Sequence, residues 1–157
     1  MWSALQHAGW VEVLGTSRPL FGLVLVVHYS AAFLCVGTIV LLDLRILGIA
    51  DRTHTLSALA GQFRRWTWIG CASLLVSGFL LFTVLAGSYA AVTPFRLKLL
   101  IVVLAVVCGL SIERMVPVWD RAPVMPLTAR LAALISIALW LGAILVSVEI
   151  PALTGLG

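Results

Sequence analysis

Of the chain's 157 residues, 62% are hydrophobic and 10% charged, against about 25% charged in an ordinary soluble domain; with a mean hydropathy of +1.17, this excludes such a domain and predicts an all-α membrane protein. The net charge is +4, but the basic residues stand at the ends of apolar runs instead of forming one patch, so they read as topology determinants and no nucleic-acid partner is expected. The length holds about four spans of roughly 20 residues with short loops, a single integral membrane domain over 1–157.

In chain order, the first sixteen residues, MWSALQHAGWVEVLGT, contain no Lys or Arg and no small-residue cleavage site, so no signal peptide is expected. They are too short to span, and Trp2, Leu5, Trp10, Val13 and Leu14 supply one apolar side, which predicts a short amphipathic helix at the interface with His7 and Glu12 solvated. Ser17, Arg18 and Pro19 open the first span, predicted over 20–47, with proline suited to a first helical turn. The loop ADRTHTLSALAGQFRR is basic and partly helical. Trp66 and Trp68, suited to an aromatic belt, begin the second span at 66–87. The short link SYAAVTP makes spans two and three antiparallel neighbours. Span three covers 95–113, with Arg96 and Lys98 snorkelling near its start. The loop ERMVPVWDRAPVMP holds three prolines, which argues against a long helix there. Span four covers 127–150 and stops at Pro151. The expected fold is a four-helix transmembrane antiparallel bundle with a short amphipathic N-terminal helix.

Orientation follows from the basic residues. With the N-terminus outside, the inner segments hold Arg45, Arg52, Arg64, Arg65, Arg114, Arg121 and Arg130, and the outer ones only Arg18, Arg96 and Lys98. Both termini are therefore expected to be periplasmic or extracellular.

The chemistry is concentrated in VHYSAAFLCVGTIVLLDLRILG, Val27 to Gly48. His28 lies about eight residues into the first span, roughly 12 Å below its outer boundary at 1.5 Å per residue, and an ionisable side chain in hydrocarbon is by default a candidate functional residue. Ala31, Ala32 and Cys35 share its face and leave space beside the imidazole. That space admits the axial ligand of a b-type haem, a quinone contact, or simply a histidine hydrogen-bonded to Ser147 or Glu149 of span four. No other span carries a histidine, so two imidazoles cannot clamp one iron unless His7 or His54 folds back into the membrane. Cys35, Cys71 and Cys108 fall at similar depth; a soft copper site or burial as small apolar residues both fit. Near the inner face Asp43, Arg45, Arg64, Arg65, Glu113 and Arg114 form the structural polar set, with Asp43 expected to pair with Arg64, Arg65 or Arg114. A proton path or quinone headgroup site is the alternative use of that set. No catalytic triad, paired catalytic carboxylates, HExxH or phosphate loop is present in the sequence, so an enzyme is not expected.

Val27 to Gly48, RRWTWIGCASLLVSGFLLF at Arg64 to Phe82, and TPFRLKLL at Thr93 to Leu100 together resemble a bacterial domain-of-unknown-function family of small four-helix membrane proteins, over roughly residues 10–115. That family is distantly similar to the CopD copper-resistance membrane domain and to haem-bearing four-helix cytochromes. The resemblance implies a bacterial inner-membrane location and a redox or metal-linked role. Many of its members carry a histidine near the end of span three, where this chain has Glu113 in SIER. The expected function is a non-enzymatic electron-transfer component holding a b-type haem or touching quinone at His28, with the lipid bilayer and a membrane redox protein as partners. The alternatives are a cofactor-free structural or assembly subunit and, third, a copper-handling protein; the oligomeric state is left open.

Overall fold

In a computed structural model, residues 8–50, 53–84 and 86–154 are described; Trp2, Leu5, His7 and Arg52 lie outside them. The helices are α1 (Gly9–Thr16), α2 (Arg18–Ile46), α3 (Leu56–Val84), α4 (Ala86–Ala91), α5 (Thr93–Trp119) and α6 (Leu127–Thr154). Among the described residues, α2, α3, α5 and α6 are long and apolar enough to cross a membrane. They close a ring in which α2 packs on α3, α3 on α5, α5 on α6 and α6 back on α2.

Helix α1 buries Val11 and Leu14, leaves Trp10 and Val13 exposed, and lies against α2 and α3. Pro19 sits in the first turn of α2, where its missing N–H costs nothing. At the other end Gly48, with φ 79°, lets Ile49 N–H reach the Leu44 carbonyl and Gly48 N–H the Arg45 carbonyl, a Schellman closure that needs a residue free of a Cβ.

Three helices run further than the sequence suggests. Helix α3 starts at Leu56, ten residues ahead of Trp66, because Leu56 and Leu59 are buried and its first turn is capped twice. Thr55 Oγ1 accepts from Ala58 N–H, and the Asp120 carboxylate accepts from Leu56 N–H at 2.9 Å and Ser57 N–H at 3.3 Å. Helix α5 continues through Pro117 to Trp119: the proline forfeits one backbone bond, while burial of Ile112, Val116 and Trp119 holds the turn. Helix α6 likewise passes Pro151 and ends at Thr154; a single lost amide donor is tolerated in an apolar helix of this length. The link after α3 carries the short helix α4.

Two buried clusters form the interior. Ile46, Leu56, Ile112, Val116, Trp119, Ala129 and Ala133 gather one end of all four long helices, and Cys35, Cys71, Ala105 and Trp140 fill the middle. Large apolar side chains point outward instead, Phe33 being 83% exposed and Leu145 68%.

Asp120 gives this architecture a pH dependence. Burial acts to raise its carboxyl, but the Ser57 hydroxyl, the Leu56 and Ser57 amides and the Arg45 charge outweigh that and hold it below the ordinary carboxylate value. The native state therefore favours the carboxylate more than the unfolded chain does, so the contribution is complete above the unfolded value of about 3.9 and is lost as pH falls through the lower native value. Asp120→Ala is expected to cost about 1 kcal/mol, as for a lost helix cap, and to flatten the acid limb of a thermal-unfolding series in detergent. An unchanged acid limb would remove Asp120 from that role.

Candidate functional site

Helix α2 presents its polar residues to α3 in a graded seam. Thr67 donates to Thr38 Oγ1 at 2.8 Å, Gly70 meets Cys35, where a Cβ would come within 2.8 Å of the Cys35 nitrogen, and His28 Nδ1 lies 3.0 Å from Ser77 Oγ. Ser77 is 3% exposed, and its hydroxyl donates to the Ser73 carbonyl at 2.6 Å. Since that hydroxyl has one proton, its oxygen accepts from His28, which places the imidazole hydrogen on Nδ1 and leaves the lone pair on Nε2. Gly78 keeps the ring in place: a Cβ there would stand 3.1 Å from His28 Cε1. Lys98 is an electrostatic neighbour of the imidazole. Beside this niche, Leu23, Val24, Val27, Val76, Ser77 and Leu80 help to line an apolar groove of about 440 Å³.

His28 thus takes its partner from α3 and not from α6. Ser147 turns its hydroxyl onto the Ala143 carbonyl of its own helix, and the Glu149 side chain lies outside the description. Helix depth alone could not separate these candidates, since Ser77 and Ser147 are both serines expected near the height of His28.

The cysteines divide. Cys35 and Cys71 are buried together in the central cluster, whereas Cys108 offers its thiol to the Ala132 carbonyl at 3.7 Å. Among the described residues, no group of three His, Cys, Asp or Glu is placed to share a metal.

At the other end of the seam Arg64 Nε pairs with Glu113 at 3.2 Å, and Arg45 donates to the His54 carbonyl at 3.0 Å. Arg65 and Arg114 are exposed. Asp43, expected to bind one of these arginines, is 1% exposed, and neither of its oxygens has a hydrogen-bond partner among the described residues. The same is true of Ser136 Oγ and Trp140 Nε1 on α6. Ser136 faces Asp43 closely enough to act on it but outside hydrogen-bonding geometry. The arginine is missing because Arg64 is already held by Glu113 of α5.

No protein-family model, curated protein or solved structure matches the chain. The chemistry of the site therefore rests on its own geometry: one oriented imidazole at one end of the seam, and one carboxyl without a hydrogen-bond partner among the described residues at the other. Sequence reasoning singled out both residues but missed Ser136 and Trp140. The available signal was their placement on α6, where a serine and an indole interrupt the otherwise aliphatic stretch Leu131–Val146.

Proposed function

We propose that the chain is a multi-pass protein of the bacterial inner membrane, a non-enzymatic component of an electron-transfer setting whose His28 contacts a quinone. Membrane insertion is supported by the four long apolar helices and by their outer faces: Phe33, Val76, Val103 and Leu145 are exposed, while small residues such as Ala31, Gly70, Ala105 and Ala133 stand at the helix contacts beside the larger buried clusters, as expected where helices associate by close packing in lipid. The antiparallel course of α2 and α3 is supported by the pairs His28–Ser77, Cys35–Gly70 and Thr38–Thr67, in which residue numbers rise on one helix as they fall on the other. The excess of inner arginines supports periplasmic termini.

The observation that carries the quinone reading is the imidazole of His28, oriented by Ser77 next to an apolar groove that Val27 and Ser77 line. Nε2 accepts from a quinol hydroxyl, Lys98 supplies a cation for the oxidised carbonyl, and the groove takes the apolar tail. A b-type haem, which would supply one-electron chemistry, would be held by His28 as axial ligand with Ser77 fixing its tautomer; a second histidine at that depth is lacking among the described residues. A cofactor-free assembly subunit is the competing reading, favoured by the satisfied bond between Nδ1 and Ser77.

The test is calorimetric titration of the detergent-purified protein with a short-chain quinol, beside reduced-minus-oxidised absorbance spectra. Binding should vanish in His28→Ala and weaken about tenfold in Ser77→Ala, the loss of one orienting hydrogen bond. A Soret band that disappears in His28→Ala would assign haem instead, and a well-folded protein with neither signal would leave the assembly subunit.

A further inference from the structure

Between the inner halves of the long helices lies a cavity of about 70 Å³, lined among others by Thr38, Asp43, Arg64, Gly109, Glu113 and Trp140. That is room for a few waters, since one needs about 10–15 Å³ on this measure. Among the described residues, Asp43 and Trp140 line it with both carboxylate oxygens and Nε1 unpartnered, and Ser136 Oγ, likewise unpartnered, faces Asp43. Their exposures are 1%, 3% and 0%. Buried polar atoms in native proteins have partners almost without exception, and in a roomy polar cavity the partner is water.

The donors and acceptors also select what neutralises the carboxylate. Arg64 is held by Glu113. An alkali cation needs a shell of oxygens, but Thr38 Oγ1 already donates to the Leu34 carbonyl and accepts from Thr67, and Trp140 brings an N–H that repels a cation. Around Asp43, α3 contributes Arg64 and Cys71, α5 contributes Glu113 and Cys108, its own helix contributes Cys35 and Arg45, and α6 contributes only Ser136 and Trp140. Arg45 Nε is buried without a partner among the described residues, but Arg45 is outside the cavity lining and its terminal nitrogen donates to the His54 carbonyl; the cation that does line the cavity, Arg64, is engaged by Glu113. The Arg64 side chain is 71% exposed and that of Glu113 30%, so the pair marks the side from which the cavity meets water.

We propose that Asp43, Ser136 and Trp140 enclose an internal water site in which Asp43 takes up and releases a proton exchanged with the inner aqueous phase past the Arg64–Glu113 pair. A cavity water breaks one O–H bond as a carboxylate oxygen forms one, and takes a replacement proton from the inner aqueous phase, so that water stays neutral; release reverses both transfers, and no electrons move. The site is independent of any ligand at His28.

The test is infrared difference spectroscopy of the full chain in lipid nanodiscs during a pH step, in ordinary and heavy water. The wild type should show a carboxylic C=O band that shifts in heavy water and is absent from Asp43→Asn. Labelling aspartate with carbon-13 in the wild type, in Asp51→Asn and in Asp120→Asn assigns the band to Asp43 by elimination even if Asp43→Asn does not fold. Gly109 lines the cavity, and a Cβ there would meet no atom within 4 Å, so Gly109→Leu should occlude the water, keeping the band but slowing its isotope shift several-fold. An aspartate-free band region, a band that ignores heavy water, or equal exchange in the wild type and Gly109→Leu would overturn the proposal.

Discussion

Replacing Gly70 by valine should prevent α2 and α3 from closing and produce the largest loss of stability in the protein. A Cβ at Gly70 would lie 2.8 Å from the Cys35 nitrogen and 3.1 Å from its Cα. These are backbone atoms of a straight helix, so no flexible side chain can give way and the helices must move apart. Overpacking a core costs about 1–3 kcal/mol even where side chains can adjust, and here they cannot. In lipid the cost is compounded, because helix association draws on close contact and interhelical hydrogen bonds, without expulsion of water. The Thr38–Thr67 and His28–Ser77 bonds stand on either side of this crossing, so separation stretches both. Gly22→Ala is the matched control, since a Cβ at Gly22 meets nothing within 4 Å; it should be neutral or gain up to about 1 kcal/mol of helix propensity. The measurement is a denaturing-detergent titration at fixed lipid content. Equal midpoints for the two variants would mean that the crossing is looser than the structure has it.

Trp119→Ala should be the most damaging truncation. Trp119 is 6% exposed and joins Ile46 of α2, Leu56 of α3, and Ala129 and Ala133 of α6 in the cluster at the inner end. On the proposed topology that end borders water, so the lost side chain carries both the transfer term and the cavity term, about 3–5 kcal/mol for a tryptophan. Its removal also loosens the chain at Asp120, the next residue, which caps α3. Trp140→Ala offers the contrast. It is equally buried, at 3%, but sits mid-bundle, where lipid is as apolar as the protein and mainly packing is lost. The expected order is a larger midpoint shift for Trp119→Ala than for Trp140→Ala in the same titration; the reverse order would place the inner cluster within the hydrocarbon.

The existence and number of long apolar helices were legible in composition and run length, because both are local. Their ends were not. Leu56 to Arg65 is too polar to read as a span, and what makes it helical is a distant carboxylate and burial against α5 and α6. Pro117 and Pro151 were read as stops because a proline does remove a backbone bond; packing and helix continuity outweighed that single loss. His28 and Asp43 stood out for the same reason, an ionisable side chain in an apolar run. Their surroundings required knowing which helices touch. Ser77 and not Ser147 holds the imidazole because α3 crosses α2 closely at Gly70, and Asp43 lacks an arginine because Glu113 on α5 competes for Arg64.

The cap on α3 also orders the life of the chain during synthesis. Its acceptor, Asp120, lies 64 residues beyond the amide it binds, so α2 and α3 leave the ribosome well before the residue that closes them. The seam of His28, Cys35 and Thr38 against Ser77, Gly70 and Thr67 is complete within that first pair and, on the proposed topology, can form as soon as both helices enter the bilayer. The first turn of α3 meanwhile remains bonded to water at the membrane surface. Only when the segment after α5 emerges does the inner end latch, making a nascent chain halted before Asp120 a set of inserted helices that lacks its lock.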